Sequence, residues 1–162
     1  MAEITTLEEK LAEVTGLAQA AQATIDKVNG MIDDAEISST LETQQEEAAE
    51  TERRATEVID KREGKKTAIL EKAQETKTEA TEMMKTYLGE DSDGLDGLEF
   101  MIMAEAGEVG HWAILGKLNE TAGESEIQDL VDWANPIQER HFTEVREASL
   151  SMAAEEDPNE TS

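Results

Sequence analysis

Glu105 stands where the periodicity of its segment asks for an apolar side chain. At about 100° per residue, Leu98, Met101, Ile102, Val109 and Trp112 all fall within about 60° of it on a helical wheel. His141 is placed the same way among Ile127, Leu130, Ala134, Ile137, Val145 and Ala148. Glu108 lies on the shoulder of the first stripe with His111 beyond it, and Gln138 and Glu144 flank His141. A buried carboxylate is costly unless it is paired, protonated or bound to a metal. Carboxylate with imidazole is the ligand set of iron and manganese sites in helical bundles. Two readings are therefore open: Glu105 and His141 share a cation, or they form a buried pair that fixes two helices. Glu108 and His111 also make an E-x-x-H, one helical turn apart, a short match in a chain so rich in Glu.

These residues need helices to aim them, and the apolar pattern is helical almost throughout. Leu7, Leu11, Val14, Ala18, Ala21, Ile25, Val28 and Ile32 alternate spacings of three and four, predicting a helix over 5–32. Thr5 or Thr6 with Glu8 or Glu9 offers a capping box at its start, and Asn29, Gly30, Asp33 and Asp34 a stop and turn. A second helix over 36–62 carries Ile37, Leu41, Ala48, Ala55 and Ile59 on one face, with Gln45 and Glu52 falling on it as well. After Gly64 a third helix over 66–88 is marked by Ile69, Ala73, Ala80, Met83 and Leu88. Helices over 95–120 and 124–153 follow the acidic stretch from Gly89 to Gly97. All five aromatics (Tyr87, Phe100, Trp112, Trp133, Phe142) lie at or after residue 87, so the last pair carries the bulkier core. Pro136, inside the fifth segment, is expected to bend it just ahead of Gln138 and His141. Short connections between long helices favour antiparallel neighbours, hence one up-and-down bundle over 1–154 with a disordered acidic tail over 155–162. The competing arrangement is an extended coiled coil running past Gly64, with 36–88 binding a partner.

Composition narrows what such a bundle does. The chain holds 39 Asp or Glu against 14 Lys or Arg in 162 residues, a net charge of −25. That charge repels nucleic-acid phosphate and anionic lipid, so no nucleic-acid or membrane-surface role is expected. No apolar run approaches a membrane span, and the N-terminus lacks the order of a signal peptide. Having no cysteine, the chain has no disulfide, thiol nucleophile or cysteine metal site. No nucleophile elbow or phosphate-cradling glycine loop is present, and in so acidic a chain a carboxylate pair says little about glycosidase chemistry. Leu, Ile, Val and Phe are scarce enough to suggest disorder. Ala and Met take their places on the predicted inner faces, while most acids fall on outer ones. With the absence of Cys and the plentiful Thr, this pattern reads as the surface of a cytoplasmic protein at high salt.

The helix order, the Gly-Lys-Lys connector at 64–66 and three short motifs together resemble the ferritin-like superfamily, nearest its YciF-like stress-protein branch. Residues Glu105-Ala-Gly-Glu-Val-Gly-His-Trp-Ala-Ile-Leu-Gly116 resemble that branch's third bundle helix, and Ile137-Gln-Glu-Arg-His-Phe142 its fourth. Glu46-Glu-Ala-Ala-Glu-Thr-Glu52 is similar to the acidic centre of its second. The resemblance implies a four-helix bundle with a short extra connecting helix, and a di-iron site of Glu, E-x-x-H, Glu, E-x-x-H. Carried onto this chain the set is incomplete. The first helix has no acid or His from Val14 to Ile25; the second offers Glu50 or Glu52 with Arg53 or Ala55 where a His would stand; the fourth has Gln138 in place of Glu.

The expectation is thus an all-α bundle with a degenerate carboxylate/histidine site at Glu105, Glu108, His141, Glu52, Glu144 and His111. It would hold iron or manganese weakly in stress response or metal handling, or else be a structural or interaction bundle with a metal-free Glu105–His141 pair. Dimerisation that pools the 95–153 hairpins of two chains is a further way to complete the ligand set.

Overall fold

The computed structural model describes residues 2–161 and consists, among them, of five α-helices and no strand. They are α1 (Thr6–Asn29), α2 (Ala35–Asp60), α3 (Lys66–Tyr87), α4 (Gly94–Ala122) and α5 (Ser125–Ala153). No helix among the described residues is long and apolar enough to cross a membrane. The ends are set by local chemistry. Thr5 and Glu8 form the capping box of α1, Asp34 caps α2 by accepting from two backbone amides, and Asp93 with Asp96 boxes α4. Gly123, at φ 66°, closes α4 in the left-handed conformation, and Gly64, at φ 72°, makes the turn between α2 and α3. The chain therefore folds back at Gly64, and the extended coiled coil does not form. α5 continues unbroken through Pro136, whose missing N–H leaves the helix assignment intact on both sides. Past Ala153 the chain runs in exposed turns to Thr161; Ser162, the last residue of the expected tail, lies outside the described residues.

The packing follows from which ends meet. Gly97 lies on Val28 and His111 faces Glu13, so α4 runs antiparallel to α1. Glu47 meets His141 and Lys61 meets Glu126, so α5 runs antiparallel to α2. Gly116 sits on Val131 and Asn119 on Gln128, which makes α4 and α5 an antiparallel hairpin. Helix α3 is different. Gly16 lies against Ala73 and Thr76, and Lys65 reaches Glu8, so α3 runs parallel to α1 along its flank. A Cβ on Gly16 would come 2.3 Å from the Ala73 carbonyl oxygen, which explains a glycine in the middle of an otherwise well-formed helix.

The apolar core falls into two clusters. One gathers Leu11, Val14, Ala55, Ile59, Ile69, Trp112, Leu115, Ile127 and Leu130. The other gathers Ile25, Val28, Leu41, Ala48, Met84, Leu98, Phe100, Met101 and Val145. Along α2, α4 and α5, buried polar residues occupy the turns between the two clusters: Thr51, Glu105, Glu108, Gln138 and His141. Helix α1 contributes the small Ala18 there.

Candidate functional site

The polar layer is built across α2, α4 and α5. Glu105 and His141 are 3% and 1% exposed, so both point inward as the periodicity demanded. Their nearest atoms, Glu105 Oε2 and His141 Nδ1, are 3.9 Å apart, and each has a hydrogen-bonded partner elsewhere. The Gln138 amide donates to Glu105 Oε2 at 3.0 Å, one turn before His141 on the same helix. His141 Nε2 lies 3.2 Å from Glu47 Oε1 on α2. A carboxylate only accepts, so the imidazole proton resides on Nε2 and the Nδ1 lone pair faces Glu105. Arg140 holds Glu47 from the solvent side and reaches Glu144 at 2.7 Å. Gln44, also on α2, donates to the His141 carbonyl oxygen at 3.5 Å.

Burial governs the protonation of this layer. Desolvation pushes the Glu105 carboxyl up to about 7, against the hydrogen bond from Gln138 that favours its ionised form. Desolvation also drives Glu108 well above the usual carboxylate range, and the charge of Glu105 beside it adds to the effect. The Glu108 carboxyl has no hydrogen bond to support its ionised form. Burial lowers His141 as well, with the Glu47 carboxylate opposing it. Glu47 itself is desolvated, but the hydrogen bonds from Arg140 and His141 outweigh that and hold it below its ordinary value. Near neutral pH the interior thus carries a neutral imidazole, a Glu105 carboxyl close to its midpoint and a Glu108 that burial biases toward its protonated form, with Glu47 ionised at the rim.

Of the six residues singled out from sequence, the structure brings Glu105 and His141 together, with Glu108 buried one turn along α4 from Glu105 and Glu144 at the rim through Arg140. Glu52 lies on the other flank of α2, where Gln22 Nε2 of α1 donates to it at 3.4 Å. His111 turns toward α1: its Nε2 is 3.6 Å from Glu13, and its Nδ1 is 2.8 Å from the Gly107 carbonyl oxygen. Glu108 also borders a cavity of about 190 Å³ between α1, α3 and α4, walled by Ala20, Ala21, Phe100, Met103 and Gly107.

Glu47 and Arg140 are the participants that sequence reasoning passed over. The apolar stripe Ile37, Leu41, Ala48, Ala55 and Ile59 is buried, whereas Gln45 and Glu52, which share it on the sequence pattern, are only half-buried. The buried face follows Ile37, Leu41, Gln44, Ala48, Thr51, Ala55 and Val58, an unbroken alternation of four and three. Centring the wheel on Gln44 and Thr51 would have put Glu47 on the flank that meets α5.

No three His, Asp or Glu side chains among the described residues group as a metal site. The donor set does not fit the di-iron centre implied by the resemblance. α1 presents Ala18 at that level, and Gln138 turns an amide N–H, which repels a cation, toward the carboxylate that would have to bind it. The chain matches no family model and no curated protein.

Proposed function

We propose that this chain is a non-catalytic structural or interaction bundle of ferritin-like connectivity, in which the central polar layer fixes the pairing of α2, α4 and α5 without a metal. What carries the reading is the hydrogen bond from Gln138 to Glu105. It places a neutral donor of the protein where a ligand-binding carboxylate would need a cation. The bond from His141 to Glu47 occupies the imidazole in the same way. The connectivity is supported by the antiparallel α1–α2, α4–α5, α1–α4 and α2–α5 neighbours, with α3 as the return that lets α2 and α4 run in the same direction. A buried polar set of this kind stabilises less than an apolar replacement of the same shape, and its use is specificity: only one rotation of each helix satisfies it.

The test is a titration of the purified protein with ferrous iron under anaerobic conditions and with manganese, alongside the Glu105→Gln, His141→Gln double variant. The expected outcome is no stoichiometric metal at micromolar concentration and a variant that differs only in stability. Stoichiometric binding that disappears in the double variant would replace this reading with the metal-handling one.

A further inference from the structure

The outward stripe of α4 is unlike the rest of the surface. Its exposed positions run Glu99, Met103, Ala106, Gly110, Ala113 and Lys117, spaced by four and three, so four uncharged residues separate the two charges. In a chain that is 33% charged with a net charge of −25, this is an unusually long neutral face. Met103 and Ile114 are 44% and 48% exposed upon it. Met83 and Tyr87 of α3 stand beside Met103 around a shallow surface depression. α4 is also apolar around most of its circumference, the composition of a helix with neighbours on every side.

The glycines make the point independently. Gly16, Gly94, Gly97 and Gly116 each lie where an added Cβ would meet a neighbour of this chain at 3.0 Å or less. Gly110, in the middle of the stripe, has nothing within 4 Å of such a Cβ. Glycine in a helix interior is unfavourable relative to alanine, and no contact within the chain accounts for it at this position.

We infer that the α4 face from Glu99 to Lys117 docks a second copy of this chain in an antiparallel, two-fold pairing. The pattern is self-complementary about its centre at Glu108. Antiparallel pairing there sets Met103 against Ala113 and Ala106 against Gly110, and brings Glu99 of each copy to Lys117 of the other. Lys117 is 79% exposed and would exchange its surface pair with Glu120 for Glu99 of the second copy. An isologous contact requires just this reciprocity. The stripe is ~27 Å long at ~1.5 Å per residue, and Gly110 with its alanine neighbours lets the helix backbones approach closely. At a helix width of ~10 Å the α4 stripe alone covers ~270 Å², and Met83 and Tyr87 of α3, exposed beside Met103, widen the face toward the ~800 Å² per partner of a standard interface. The inference is independent of whether the interior polar layer holds a metal.

Sedimentation analysis of the full chain from about 1 μM to about 1 mM, at ~0.15 M and ~1 M salt, reads the association directly. A dimer favoured by the higher salt is expected, because two chains of charge −25 repel until screened. Ala106→Glu puts a good helix former on an exposed site, so the monomer keeps its far-UV helical signal while Kd rises at least about tenfold. Gly110→Ala is expected to raise the thermal midpoint of the monomer and weaken the dimer, a combination that a purely intrachain role for the glycine does not produce. Glu99→Lys and Lys117→Glu each weaken association, and the double exchange restores it. A folded chain that stays monomeric throughout, a dimer indifferent to Ala106→Glu, or a charge exchange that fails to restore pairing overturns the inference.

Discussion

Burial pushes the Glu108 carboxyl well above the usual range and Glu105 up to about 7, and both shifts have consequences for stability. An unfolded chain releases its Glu protons near the ordinary value of 4.5. Between that value and the raised one, the folded state binds protons that the unfolded state has lost. Stability contributed at low pH is therefore lost as pH rises through about 7 for Glu105, and Glu108, raised by burial, acts in the same direction. His141 works in the opposite direction: its lowered value makes the unfolded state bind more protons below 6.5, so acid also destabilises. Glu47, held below its ordinary value, loses its contribution as pH falls below 4.5. Glu108→Gln keeps the shape of the protonated acid and cannot ionise. It is expected to raise stability at pH 8 by about 1–3 kcal/mol and to change little at pH 5. Urea unfolding at the two pH values checks this, and an equal effect at both would show that the folded state does not hold the Glu108 proton beyond its ordinary range.

Helix existence was legible because its causes are local. The spacing predicted α1 over 5–32 and the structure has Thr6–Asn29; the other four agree to within two residues at each end. What escaped was the placement of α3. Its sequence marks an apolar stripe of Ile69, Ala73, Ala80 and Met83, yet no local feature says which helix covers it. The structure lays Ala68, Ile69 and Ala73 against α1, parallel to it, and leaves Met83 57% exposed. Gly16 is the hinge of that contact. Gly16→Ala would drive a Cβ into the Ala73 carbonyl and the Thr76 side chain, and backbone cannot yield as a flexible side chain does. A loss of about 1–3 kcal/mol is expected, with the α1–α3 contact opening first. Hydrogen exchange reads it: protection should fall in α3 before α5, and uniform loss over all five helices would refute the local account.

At the scale of the molecule the acid excess dominates. Cross-links between charges are few for a chain of −25. Arg62 ties Glu8 of α1 to Glu124 ahead of α5, at 3.0 and 2.7 Å, and Lys61 meets Glu126 at 2.7 Å. The Arg62–Glu8 pair is shielded and the Lys61–Glu126 pair exposed, and so few links cannot offset the summed repulsion of the unpaired acids. Screening does: the Debye length falls from ~10 Å at 0.1 M salt to ~3 Å at 1 M. Thermal stability and helical signal are expected to rise markedly between ~0.1 and ~2 M salt. A melting temperature flat across that range would remove the high-salt reading of the surface.

By itself the sequence determined that this chain is helical, where each helix lies to within three residues at its ends, and that Glu105 and His141 face inward. Periodicity and capping are short-range effects, complete within a few turns of one helix. Only the tertiary structure decided with whom those residues pair. Glu47 takes the His141 Nε2, Gln138 takes Glu105, and His111 turns to Glu13. Partner choice depends on the rotation and offset of helices that come together from distant parts of the chain. With 39 acids available, no spacing rule selects the one that another helix brings within 3.2 Å.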